Sequence, residues 1–228
     1  MEVKSSNEKK GIFTCGIYAI MMLFFQMDVS KKILFAIAHE AFWNKYLEFI
    51  FYTSFAVIIA FLYRKFIWKS IIEFIKNKGR CIKFCIGWFF IILVLAILTA
   101  IMLAGISVGE SSNEQAINEM MQNNKWITGV TICIIVPFVE EMIFRGILYQ
   151  AIRGKKATKV RIHIGILVVS LIFALYHCDL NFILSGDYME VLSYAPLFFV
   201  GLGLNWLYEI SNNIWCPILV HMIINILA

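Results

Sequence analysis

Twenty-five consecutive residues, Phe84–Val108 (FCIGWFFIILVLAILTAIMLAGISV), carry no charged side chain. A helix that crosses the hydrocarbon core needs about 20 apolar residues, within a range of roughly 17–25. Backbone N–H and C=O groups inside a bilayer must bond within their own segment, so such a run folds as a spanning helix. Six further apolar stretches follow the same pattern: Ile12–Met27, Tyr46–Tyr63, Trp126–Tyr149, Ile162–His177, Val191–Ile210 and Ile214–Ala228. The first, fifth and seventh runs, counted along the chain, are short. The chain is 61% hydrophobic, against about 45–50% for a soluble domain. The expected fold is all-α, a polytopic transmembrane bundle of about seven spans.

Charge sets the expected topology. Lys4, Lys9 and Lys10 precede the first span, seven Lys/Arg fall in Arg64–Lys83 and five in Arg153–Arg161. The opposite loops hold Lys31, Lys32, Lys45 and Lys125 with most of the loop acids, among them Glu110, Glu114, Glu119, Asp179, Asp187 and Glu190. Basic loops stay in the cytoplasm, so the N-terminus is expected inside and the C-terminus outside. The net charge of +5 then reports topology, and no nucleic-acid partner is expected. The basic N-terminus ahead of an apolar run resembles a signal peptide. It lacks an A-x-A-like site, so an uncleaved anchor is expected. Ser30–Asn44, with His39, reads as an interfacial segment. The polar stretch Gly109–Lys125 reads as a mobile loop. The six cysteines show no metal or disulfide pattern, and Cys15, Cys133 and Cys216 lie in apolar runs. Residues 1–125 form an N-terminal region of three spans. Residues 126–228 form a four-span core.

The fourth run holds VPFVEEMIFRGILY, with Glu140, Glu141 and Arg145 where hydrocarbon is expected. A charge at a helix centre costs roughly 2.5–3.5 kcal/mol on insertion scales. Glu141 and Arg145 are four apart and share a face, so they can pair. Glu140 lies about 100° round the helix with no local partner. Pro137 removes a backbone hydrogen bond just before it and predicts a kink. FALYH places Phe173 and His177 on one face of the fifth run, and HMIIN places His221 and Asn225 on one face of the seventh. Two carboxylates, two imidazoles and an amide aimed inward can activate water and stabilise an oxyanion. Each alone has a plainer reading: a Glu–Arg pair locks helices, a lone His packs, and Asn joins helices. Asn205 and Glu209, four apart, read as packing groups, and His163 as interfacial.

EEMIFR, FALYH and HMIIN together resemble the EExxxR, FxxxH and HxxxN motifs of the CAAX-protease and bacteriocin-processing (CPBP, or Abi) intramembrane proteases. The resemblance covers roughly Thr128–Ala228. It implies peptide-bond hydrolysis within the membrane, on a hydrophobic or lipid-anchored peptide. By position, Glu140 is implied as the general base, with Glu141 and Arg145 holding the helix and tuning it. His177 is implied to orient the water, and His221 and Asn225 to stabilise the oxyanion. His177, His221 and Glu140 or Glu141 also make a possible zinc ligand set. HExxH is absent, and water activated by glutamate without an obligatory metal is the preferred expectation. Membrane lipid and the peptide are the expected partners. Two other functions fit the same residues: a proton- or cation-coupled transporter, and a non-catalytic immunity or scaffold protein.

Overall fold

The computed structural model describes residues 11, 13, 14, 16–18, 40–105, 108, 110–154, 157–178 and 180–227. Most of Ile12–Met27 and of Ser30–Asn44, and His39, lie outside them. Every regular element among the described residues is helical. In chain order these are α1 (Glu40–Leu62), α2 (Arg64–Lys76), α3 (Lys78–Gly105) and α4 (Ser112–Val130). A long helix then continues through a π-turn (Thr131–Ile135), α5 (Val136–Glu141), a second π stretch (Met142–Tyr149) and α6 (Gln150–Arg153). After it come α7 (Lys159–His177), α8 (Leu180–Ser185), α9 (Tyr188–Ser193), α10 (Ala195–Ser211) and α11 (Trp215–Leu227).

The protein is an integral membrane helix bundle. Among the described residues, four helices are long and apolar enough to cross: Lys78–Gly105, Asn124–Arg153, Lys159–His177 and Tyr188–Ser211. The α1–α2 pair adds a fifth if it counts as one span, and Trp215–Leu227 is apolar but only 13 residues long. Seven spans are therefore not displayed by the described residues. On α3, Ile86, Phe90, Val94, Ile97, Leu98, Ile101 and Met102 are all exposed, an apolar face suited to contact with lipid.

Two expected loops are helices. The basic stretch Arg64–Lys83 forms α2 and the start of α3, and α2 turns 83° from the preceding helix. Its charges alternate with Phe66, Ile67, Trp68, Ile72 and Ile75, a pattern that suits a helix lying along the membrane surface. The polar stretch Gly109–Lys125 mostly lies in α4. Ser111 accepts from the Glu114 backbone N–H and the Glu114 carboxylate accepts from the Ser111 N–H, a reciprocal cap that starts the helix.

Small residues let the core helices approach. A Cβ on Gly201 would stand 3.2 Å from Ser170 Cα of α7, and one on Gly203 would overlap Ile92 of α3. α10 thus sits wedged between α7 and α3, backbone close to backbone. Its end is fixed by Asn212 in the left-handed region at φ 50°. Asn213 Oδ1 then accepts from the Trp215 N–H (3.0 Å) and from Ser70 Oγ (3.1 Å), and its Nδ2 donates to Ser70 O (2.9 Å). This buried clasp ties the α10–α11 turn to α2 and sets where α11 begins.

Candidate active site

Pro137 determines the local backbone around the acidic pair. The Val136 N–H reaches back five residues to Thr131 O. Continuing that pattern, residue 137 would donate to Ile132 O, but proline has no N–H to give. Asn225 of α11 fills the gap, its Nδ2 donating to Ile132 O at 2.9 Å. A side chain from another helix thereby satisfies the carbonyl that the proline orphans. Cys133 Sγ, one residue on, donates to Asn225 O at 3.3 Å. Asn225 therefore ties the π-turn of the long helix to α11, a task that its HxxxN position alone does not disclose. Asn225→Ala is expected to cost about 1–3 kcal/mol, read as thermal unfolding in detergent. The loss should shrink in a Pro137→Ala background, where residue 137 regains an N–H for Ile132 O.

Glu140 and Glu141 are buried, at 1% and 0% exposure, with Arg145 at 0%. Arg145 Nη1 donates to Glu141 Oε1 at 2.7 Å, and Nη2 to Gly201 O on α10 at 3.1 Å. The guanidinium lies 4.7 Å over the Phe173 ring, a cation–π contact. The same Glu141 Oε1 accepts from His221 Nδ1 at 2.8 Å. One carboxylate oxygen thus joins the fourth run's arginine to the α11 histidine. Phe173, the first residue of FALYH, forms the floor: its ring meets those of His177 (4.9 Å), His221 (5.9 Å) and Phe144 (5.2 Å).

Glu140 faces the two imidazoles. Its Oε1 is 3.7 Å from His177 Nε2 and its Oε2 3.9 Å from His221 Nε2. His177 Nδ1 pairs with Phe173 O at 2.8 Å. A carbonyl only accepts, and so does the Glu141 carboxylate, so both histidines carry the proton on Nδ1. When neutral, both imidazoles then present Nε2 as an acceptor on the side of Glu140. Buried Glu140 Oε2 has no hydrogen-bond partner among the described residues. The structure thus gathers Glu140, Glu141, Arg145, His177 and His221 in one place, with Asn225 engaged one turn beyond His221.

The zinc alternative fits the placement less well. Ligand bonds of about 2.0–2.1 Å put tetrahedral ligand atoms about 3.4 Å apart. The Glu140–histidine separations are wider, and among the described residues no three His, Cys, Asp or Glu groups could hold a metal ion as placed.

Other polar residues of the spans have structural partners. Asn205 Nδ2 bonds Ser170 Oγ (2.9 Å) and Gly201 O (3.0 Å). Glu209 accepts from Arg153 Nε (2.8 Å) and from the Tyr149 hydroxyl (2.9 Å). His163 is exposed and bonds Lys159 O. What motif reading misses is a group of tyrosines, Tyr18, Tyr52 and Tyr176, beside His177. Tyr18 and Tyr52 lie more than 120 residues away in sequence from Tyr176, so no local spacing signals them.

Three curated proteins are each similar to about half of this chain. A membrane protein of Bacillus subtilis (strain 168) named "Putative membrane peptidase YdiL" is 31% identical over 51% of this chain and 41% of its own length. An Escherichia coli protein named "Uncharacterized 24.3 kDa protein" is 32% identical over 42% of this chain and 40% of its own. The "UPF0177 protein YxdF" of Lactococcus lactis subsp. lactis (strain IL1403) is 31% identical over 45% and 46%. The chain spans less than half the length of each of these relatives. No solved structure matches it. Residues 122–227 match the family model described as type II CAAX prenyl endopeptidase Rce1-like.

Proposed function

We propose that the protein is an intramembrane endopeptidase in which Glu140 activates water against a peptide bond. The observation that carries this reading is the trio of facing acceptors, the Glu140 carboxylate and the Nε2 atoms of His177 and His221. Their separations suit a water that caps two of them with hydrogen bonds of about 2.8 Å. Such a water donates to Glu140 and one imidazole and turns its oxygen lone pair toward a carbonyl carbon. Glu140 takes the proton as the C–O bond forms, and returns it to the leaving nitrogen as the C–N bond breaks. Glu141, fixed by Arg145, holds His221 in the tautomer that this arrangement needs. The residues as placed do not close around a metal, so no step passes through one.

The substrate is a hydrophobic or lipid-anchored peptide, since the carboxylates are buried between helices whose outer faces are apolar. In this reading the basic segments, α2 with the start of α3 and Arg153–Arg161, face the cytoplasm, with the N-terminus inside and the C-terminus outside. Purified protein in lipid nanodiscs, given internally quenched hydrophobic peptides with and without a C-terminal prenylated cysteine motif, tests the reading. Cleavage of one of them, lost in His177→Ala and retained in chelator, is the expected result. Cleavage of neither peptide overturns the endopeptidase. Activity abolished by chelator and restored by zinc alone overturns the metal-free base.

A further inference from the structure

α2 presents three different sides. Counting about 100° per residue, Ile67, Ser70, Ile71 and Phe74 face the bundle, with Ser70 buried and the others half-buried. Ile75, Trp68 and Ile72 follow round the helix and are exposed, Trp68 at 65% and Ile75 at 63%. Lys65, Lys76 and Lys69 come next, all exposed. Lys78, Arg80 and Lys83, exposed as well, carry the charge onto the first turns of α3. The only carboxylate in residues 64–83 is Glu73, 3.8 Å from Lys69. An apolar strip with a tryptophan beside a lysine strip, on a helix turned 83° from the span before it, fits the boundary of a bilayer. With Trp68 and Ile75 at the acyl chains, the lysines stand at the level of the headgroups.

The inner side of α2 connects it to the helix that carries His221. Ser70 and Asn213 are 4% and 3% exposed. Ser70 Oγ donates to Asn213 Oδ1 at 3.1 Å, and Asn213 Nδ2 donates to Ser70 O at 2.9 Å. The same Oδ1 accepts from the N–H of Trp215, the first residue of α11, at 3.0 Å. α11 also packs against both α2 and α3, and His221 lies less than two turns along it. Buried hydrogen bonds are costly to leave unmade. A shift of α2 therefore carries the start of α11 with it or breaks bonds in apolar surroundings.

We propose that α2 and the first turns of α3 form a binding surface for anionic phospholipid headgroups, and that its occupancy is passed through the Ser70–Asn213 clasp to α11. Phosphodiester oxygens accept from Lys65, Lys76, Lys78 and Arg80, while acyl chains lie against Trp68 and Ile75. A zwitterionic headgroup brings its own cation beside the lysines and is held less well. Bound anionic lipid keeps α2 flat on the membrane and so holds α11 in the register that places His221 Nδ1 on Glu141. The binding surface is independent of the endopeptidase reading, and its consequence for cleavage rests on that reading.

Native mass spectrometry of the full-length protein in detergent, with phosphatidylglycerol or phosphatidylcholine added, reads the binding. Each cation near an anionic surface is worth about fivefold in affinity. Lys65→Gln/Lys76→Gln should therefore weaken phosphatidylglycerol binding by about 25-fold and leave phosphatidylcholine unaffected. Lys155→Gln/Lys156→Gln removes the same charge from the other basic stretch and should bind phosphatidylglycerol as the wild type does. Equal losses in the two double variants, or no preference for phosphatidylglycerol in the wild type, overturn the surface. Hydrogen–deuterium exchange in nanodiscs reads the coupling without any cleavage. Adding phosphatidylglycerol to phosphatidylcholine discs should slow exchange in α2 and at the start of α11, there by about two- to tenfold, the worth of one hydrogen bond. Ser70→Ala removes one bond of the clasp and Asn213→Ala removes three. They should diminish the α11 response in that order and leave that of α2. An α11 response unchanged in both, or absent from a wild type that binds the lipid, overturns the coupling. If the wild type shows both responses yet cleaves no peptide, the endopeptidase reading falls and the lipid surface stands.

Discussion

Glu140→Gln is expected to lower peptide cleavage by about 10³-fold or more while leaving the protein as stable as the wild type, or more so. General-base catalysis contributes about 10²–10⁴-fold, and glutamine cannot take a proton from water. The stability half of the expectation comes from burial. Glu140 is 1% exposed and its Oε2 lacks a hydrogen-bond partner among the described residues. An ionised carboxylate so placed is a burden on folding, which the neutral amide of the same shape relieves. Opposite signs on activity and stability distinguish a reacting group from a packing one. Cleavage assays and thermal unfolding on one preparation read both. A fall in melting temperature together with unchanged cleavage would assign Glu140 a structural role.

Arg145→Met should behave in the reverse manner. It leaves the Glu141 carboxylate buried at 0% exposure without its cation, and removes the donor to Gly201 O. Breaking one half of a buried ion pair costs about 3–5 kcal/mol. The variant should accumulate poorly and unfold early in detergent. Adding Glu141→Leu removes the stranded charge and should recover much of the stability, because a buried pair replaced by apolar groups is often neutral. Activity should stay absent in the double variant, since His221 Nδ1 loses its acceptor. Recovery of cleavage together with stability would show that Glu141 does not orient His221.

Much of this arrangement is legible in the sequence because helical spacing is a local property. Glu141 and Arg145 pair as their four-residue separation requires, and Phe173 and His177 share a face for the same reason. The capping sequence Ser111–Glu114 announces a helix where polarity alone argues for a loop. In Arg64–Lys83 the charges draw attention from the interleaved Phe66, Ile67, Trp68, Ile72 and Ile75, whose helical spacing is equally readable. Contacts between distant segments are another matter. The bond from Asn225 to Ile132 O depends on which carbonyl a proline strands after a π-turn, and the π-turn itself follows from packing. The meeting of Tyr18, Tyr52 and Tyr176 requires the path of the N-terminal helices, which no motif encodes.

The oxygen shared by Arg145 and His221 has a mechanical implication. Gly201 O, the guanidinium, Glu141 Oε1 and His221 Nδ1 form one chain of contacts through three helices. A slide of any one helix by a single residue, about 1.5 Å, breaks this linkage while leaving most apolar packing in place. A small molecule that wedges α11 outward from the lipid side is therefore expected to abolish cleavage without touching Glu140 or the imidazoles that face it.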